Sequence, residues 1–146
     1  MALIAWSEGI ALQHEVMDRT HVEFIEQLNA LADLLDAGGD GLPGLDALIA
    51  HTEAHFGMED AQMAALGYAP ENCHTRQHAM VLELMREVRK HVTEKLDTDP
   101  LHRLMPALAE WFPQHVDGMD APLVEVMRAH GVGAAQVSAC GSAACD

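Results

Sequence analysis

Along most of the chain apolar residues recur three and four positions apart, the spacing of one buried helical stripe, and strand-like alternation is absent. Met17, Phe24, Ile25, Leu28, Leu31, Leu34 and Leu35 mark a first helix. It stops at Gly38-Gly39-Asp40-Gly41, a run that takes up positive φ at low cost. A second helix begins near Pro43, which suits a first turn because an N–H there has no helical partner anyway. Leu45, Leu48, Ile49, Thr52, Phe56, Met63 and Leu66 carry its inner face, and Gly67 ends it. Residues 68–72, with Pro70, form a short connector. A third helix runs to about Leu96, with Met80, Val81, Leu84, Met85 and Val88 inside. Asp97-Thr98-Asp99-Pro100 then turns the chain into a fourth. That last helical region, from about Leu101 to His130, contains Pro106, Pro113, Gly118 and Pro122, so a kink or break is expected. The expected fold is all-α: an up-down-up-down four-helix bundle over residues 1–130, its fourth helix kinked or broken. A short C-terminal tail of small residues follows over 131–146.

Composition narrows the function classes. A chain of 146 residues suits one domain, and 49% apolar residues with a mean hydropathy of zero is a globular balance. Aromatics at 4% and nine Met favour a helical core over a β-sandwich. With 23 acidic against 8 basic residues the net charge is −15, which argues against nucleic acid and anionic membranes as partners. No apolar run reaches the roughly 18 residues of a membrane span, and the opening segment meets Glu8 with no basic stretch before it. Cys73, Cys140 and Cys145 are too few and too uneven for a disulfide framework, so a cytoplasmic protein with an unpaired tail is expected; a monomer is expected too. One count changes the picture: 10 His, more than Lys and Arg together.

Residues four apart on a helix share a face, so two ligands at that spacing grip one metal ion or two adjacent ones. Such pairs are His14–Asp18, His51–His55, His55–Glu59 and His74–His78. Roughly two would arise by chance at this composition, so the pairs alone decide nothing. Their distribution says more. His21 falls on the first helix, His55 and Glu59 on the second, His74 and His78 on the third, and His115 with Asp120 on the fourth. All seven can point at one level of the bundle core.

The text around these residues resembles the hemerythrins, in particular the single-domain bacteriohemerythrins. M-D-R-T-H at 17–21 is similar to the family's helix-A histidine, and H-F-G-M-E-D-A-Q-M at 55–63 to its HxxxE. H-T-R-Q-H at 74–78 matches its HxxxH and W-F-P-Q-H-V-D-G-M-D at 111–120 its HxxxxD, in the same order. Trp6 also fits the bacterial pattern, and the resemblance spans about residues 6–130. It implies a non-haem di-iron centre, two Fe ions joined by an oxo or hydroxo bridge. His74, His78 and His115 would hold one iron, His21 and His55 the other, and Glu59 and Asp120 would bridge both. Ligand arithmetic on two six-coordinate ions leaves one free position, on the iron with two histidines. The resemblance implies that dioxygen binds there reversibly, for carriage, storage or delivery to an O2-consuming enzyme. Neutral imidazoles make the ferrous pair less electron-rich than carboxylates would, which suits a binding protein and not an enzyme. Phe24, Phe56, Met63 and Trp111 are expected to exclude water.

The other candidates read as structural. His51 has no counterpart in the family pattern, and His14 stands where that pattern usually carries an apolar residue. His91, His102 and His130 are expected at the surface. Cys73 adjoins His74, but one residue rotates the helical face by about 100°, away from the site. Pro113 departs from the family and is expected to shift His115 or end the helix early, with Gly118 giving Asp120 slack. Two other function classes compete. An O2 or redox sensing module would be marked by a fused signalling domain, which the sequence lacks. A di-iron enzyme acting on peroxide or nitric oxide, or an iron donor for cluster repair, is the other.

Overall fold

A computed structural model describes residues 2–131; the tail beyond them, with Cys140 and Cys145, lies outside the described residues. The helices are α1 (Glu15–Asp36), α2 (Leu42–Ala65), α3 (Cys73–Lys95) and α4 (Asp99–His115). Residues 116–120 then form one π-helical turn, and α5 (Ala121–His130) carries the fourth helix on. No strand occurs among the described residues. Each helix packs on the next, and α4 returns to α1, which closes an up-down-up-down four-helix bundle.

Local chemistry sets the helix starts. His14 caps α1, its Nδ1 accepting from the Met17 N–H at 3.2 Å. Asp18 accepts from the N–H groups of Leu12 and His14. Asn72 and Thr75 form a reciprocal capping box at the start of α3. Pro43, Pro100 and Pro122 occupy the first turns of α2, α4 and α5. Between α1 and α2 the chain reverses through Gly38 at φ +81°, a conformation that an L side chain resists.

One apolar cluster fills most of the bundle, with Leu28, Leu45, Leu48, Met85 and Leu101 fully buried. A smaller cluster of Met63, Leu66 and Leu123 caps the other end. Along α2 and along the fourth helix, the polar residues His55, Glu59, His115 and Asp120 fall between members of the two clusters.

Three of the expected core residues lie outside it. Met80 is 68% exposed, Leu84 47% and Leu34 41%. The buried residues of α3 are His74, His78, Val81, Met85 and Val88, a narrow stripe stepping by four and three. Met80 and Leu84 each sit one residue, about 100°, off that stripe. Leu34 is displaced in the same way from Leu35. The fourth helix runs unbroken through Pro106 and Pro113 to His115. Pro106 lies on the exposed face, where water can satisfy the carbonyl it leaves free. The irregularity expected from the prolines is the π turn instead.

Candidate metal centre

Seven buried side chains meet at the capped end of the bundle. They come from the start of α1, the second half of α2, the start of α3, and the junction of α4 with the π turn. Glu59, His74, His78, His115 and Asp120 bring one donor atom each within 4.8 Å of one another. His21, His55, Glu59 and Asp120 do the same, so the two groups share both carboxylates. These are the seven residues that helix placement and the family resemblance pick out.

Each carboxylate is divided between the two groups. Glu59 Oε1 lies 3.1 Å from His74 Nε2 and 3.0 Å from His78 Nε2, while Oε2 lies 2.6 Å from His55 Nε2. Asp120 Oδ1 faces His74 Nε2 at 2.9 Å and His115 Nε2 at 3.3 Å, while Oδ2 faces His21 Nε2 at 3.0 Å. Three imidazoles therefore converge on one side and two on the other.

The donor set fits metal ions. Both ring nitrogens of His21, Nε2 of His78 and His115, Glu59 Oε2 and both Asp120 oxygens are buried without a partner in hydrogen-bonding geometry. Apart from His74 Nε2, which reaches Glu59 Oε1 in hydrogen-bonding geometry, the short distances thus reflect donor atoms converging without a satisfied polar network. Buried groups left in that state are costly, and cations between them remove the cost. Imidazole and carboxylate together suit first-row divalent ions.

Electrostatics agree. Burial and the neighbouring Asp120 push the Glu59 carboxyl up, but the imidazoles of His55, His74 and His78 beside it overcome them and hold it at about 2. Asp120 likewise stays well below the usual carboxylate range: burial raises it, and His115, His21 and His74 lower it further. Both carboxylates are therefore charged at neutral pH. Burial lowers His74, yet Asp120 and Glu59 lift it to about 9. His115 is lowered, chiefly by its burial.

Two residues that spacing did not flag orient the rings. His78 Nδ1–H donates to Asp60 Oδ1 at 2.8 Å, and His115 Nδ1–H donates to Gln77 Oε1 at 2.8 Å. A carboxylate can only accept, so the proton sits on Nδ1 of His78 and the Nε2 lone pair faces the cluster. Their signal in the sequence was adjacency: Asp60 follows Glu59 and Gln77 precedes His78. Aromatic rings wall the site. Phe56 stacks on His78 with centroids 3.8 Å apart, and Trp111 stacks on His115 at 4.5 Å. Phe112 meets His21 edge-on and stacks on Phe24.

The remaining histidines stand apart from both donor groups. His14 is the α1 cap, and His51 Nε2 lies 3.1 Å from Glu23 Oε1. His91 pairs with Asp97, and His102 is exposed. Cys73 Sγ lies 3.9 Å from the Met119 sulfur and belongs to neither group. Pro113 leaves His115 at the helix end and within reach of Asp120, against the shift expected of it.

Residues 12–126 match the family model described as the Hemerythrin HHE cation binding domain. A bacteriohemerythrin of Ralstonia nicotianae is 41% identical over 95% of this chain and 99% of its own length. Bacteriohemerythrins of Stenotrophomonas maltophilia and Pseudomonas paraeruginosa are 27% and 25% identical, over 89% and 88% of this chain and 85% and 84% of their own. No solved structure gives a significant match.

Proposed function

The chain belongs to the hemerythrin family, and we propose that it binds dioxygen reversibly at a pair of non-haem irons. His74, His78 and His115 would hold one ion, His21 and His55 the other, with Glu59 and Asp120 bridging both. One observation carries this reading: each buried carboxylate turns one oxygen toward the His74, His78 and His115 side, where each meets two of those imidazoles, and the other toward His55 (Glu59) or His21 (Asp120). A pair of ferrous ions held by these residues would supply the two-electron chemistry that reversible dioxygen binding needs.

The chain's own residues account for the rest. The His21 and His55 half has one imidazole fewer, and that shortfall supports a small ligand binding on that side. Phe56 and Trp111 cover His78 and His115, and the Phe24–Phe112 stack covers His21, so water is kept from the cluster. Five neutral imidazoles against two carboxylates favour reversible binding over oxidation of a second substrate. On this reading residues 1–130 are one binding domain, not an enzyme. We take it as a cytoplasmic monomer that carries, stores or delivers dioxygen to an O2-consuming enzyme. Within the described residues no helix is long and apolar enough to cross a membrane.

The test is iron content together with the optical spectrum. About two irons per chain are expected, from the two donor groups, and zinc alone would count against the site. Air added to the reduced, colourless protein should give charge-transfer bands that vanish when dioxygen is removed. Immediate and irreversible oxidation would favour an enzyme acting on peroxide or nitric oxide.

A further inference from the structure

The cluster is buried, so a small ligand must cross a wall of protein to reach it. The main apolar cluster fills the bundle on one side, and aromatic rings stack on His78 and His115. A cleft of about 590 Å³ opens where α1 starts and where α2 and α5 end. His14, Met17, Met58, Ala65, Leu66 and Met127 line it.

Its innermost residue is Met17, 2% exposed and part of neither apolar cluster. Met17 precedes His21 by four residues, so it lies on the same face of α1, about 6 Å along the axis. Through Met17, one helical turn before His21, the cleft lies on the His21 side of the site. Its rim is fixed: Arg128 donates to the carbonyls of Leu12 and Gln13, and His14 caps α1. Met17 itself is unbranched and has several rotatable bonds, which suits a wall that yields to a small apolar molecule.

We propose that this cleft is the access route for dioxygen, with Met17 as the gate between it and the His21/His55 half of the site. The proposal rests on dioxygen being the ligand. It commits to a small apolar gas because Met17, Met58, Ala65, Leu66 and Met127 line the cleft, and the most buried of them, Met17, is a flexible side chain.

The experiment compares Ala65→Trp, which fills the mouth, with Ala64→Trp, which lies on the same helix, exposed and outside the cleft. Stopped-flow mixing of the reduced, iron-loaded proteins with dioxygen should show about tenfold slower binding in Ala65→Trp and an unchanged rate in Ala64→Trp. Met17→Ala should bind and release dioxygen several times faster, with the same final spectrum. A second measurement needs no oxygen chemistry: xenon-pressurised crystals of the iron-loaded protein should show xenon against Met17 and Met58, displaced in Ala65→Trp. Equal rates in Ala65→Trp and the parent, or a cleft empty of xenon, would overturn the route. Xenon in the cleft with no reversible oxygenated form in any variant would instead count against dioxygen as the ligand, and the route would fall with it.

Discussion

His115 Nε2 lies 3.3 Å from Asp120 Oδ1 although five positions separate the two residues. In a regular α-helix five residues turn through about 500°, which would leave the side chains about 140° apart. The π turn removes that difference. The Ala121 N–H bonds the Val116 carbonyl five residues back, and the wider loop returns Asp120 to the face of His115. The one irregular turn in the bundle therefore sits where the site needs it.

Gly118 lies within that turn, but the turn does not depend on a missing side chain. A Cβ at Gly118 would meet nothing within 4 Å, and its φ is not left-handed. Gly118→Ala is expected to keep its metal content. It should also gain about 0.4–1 kcal/mol through a less flexible unfolded chain. Iron analysis and thermal unfolding check this; loss of iron would mean that the turn needs glycine after all.

Asp60 and Gln77 hold the imidazoles of His78 and His115 by their Nδ1–H groups. Removing such an acceptor frees the ring and lowers its basicity, which typically costs about 10–100-fold in metal affinity. Asp60→Ala and Gln77→Ala should each lose iron to a competing chelator in that range, with folding intact. Asp60→Asn and Gln77→Glu keep an acceptor oxygen and should recover most of the affinity. Unchanged chelator competition in the alanine variants would remove these residues from the site.

Helix count, order and direction were legible because the stripes of Phe24 to Leu35 and Leu45 to Leu66 repeat at helical spacing. The seven converging residues were legible from pairs one turn apart and from a resemblance in their order. Side-chain burial was less so: Met80 and Leu84 look like core by composition, but α3 buries a narrower stripe that His74 and His78 begin. Asp60 and Gln77 carried no signal beyond their adjacency to Glu59 and His78, because the partners of an Nδ1–H are set by how helices pack, not by spacing along one helix. The five-residue gap from His115 to Asp120 was read with the prolines as a kink or break with slack at Gly118, whereas a single i→i+5 turn brings the two residues to one face.

Protons compete with metal at this site, and the shifts set the direction. Burial lowers His74, but Asp120 and Glu59 raise it to about 9. His78 is also raised: burial opposes, and Asp60 and Glu59 prevail. Near pH 7 metal must displace the His74 proton, so affinity should climb with pH until about 9 and then level off. In the metal-free chain the signs differ by group. The raised His74 contributes stability that is full below 6.5 and lost as pH rises through about 9. The lowered Glu59 contributes stability present above 4.5 and lost as pH falls toward 2. The lowered His115 opposes His74, since it resists the charge that the unfolded chain takes up below 6.5. Chelator competition across this range checks the first claim, and a flat profile would contradict it.

Two helices carry a second histidine that could compete for the role of ligand: His14 against His21, and His51 against His55. The geometry separates them. His21 Nε2 lies 3.0 Å from Asp120 Oδ2 and His55 Nε2 lies 2.6 Å from Glu59 Oε2. His14 instead spends its Nδ1 on the Met17 N–H, and His51 faces Glu23 at the surface. His21→Ala and His55→Ala should each weaken the half with fewer imidazoles, abolishing the oxygenated spectrum and lowering iron per chain. His51→Ala should keep both, since an exposed pair of this kind is worth about 0–1 kcal/mol. His14→Ala should also keep both while losing about 1 kcal/mol of stability with its helix cap, and His14→Asn should restore it. Iron per chain, oxygenated absorbance and thermal midpoint across these variants test the set together. Loss of the oxygenated form in His14→Ala or His51→Ala, with retention in His21→Ala or His55→Ala, would reverse the ligand assignment.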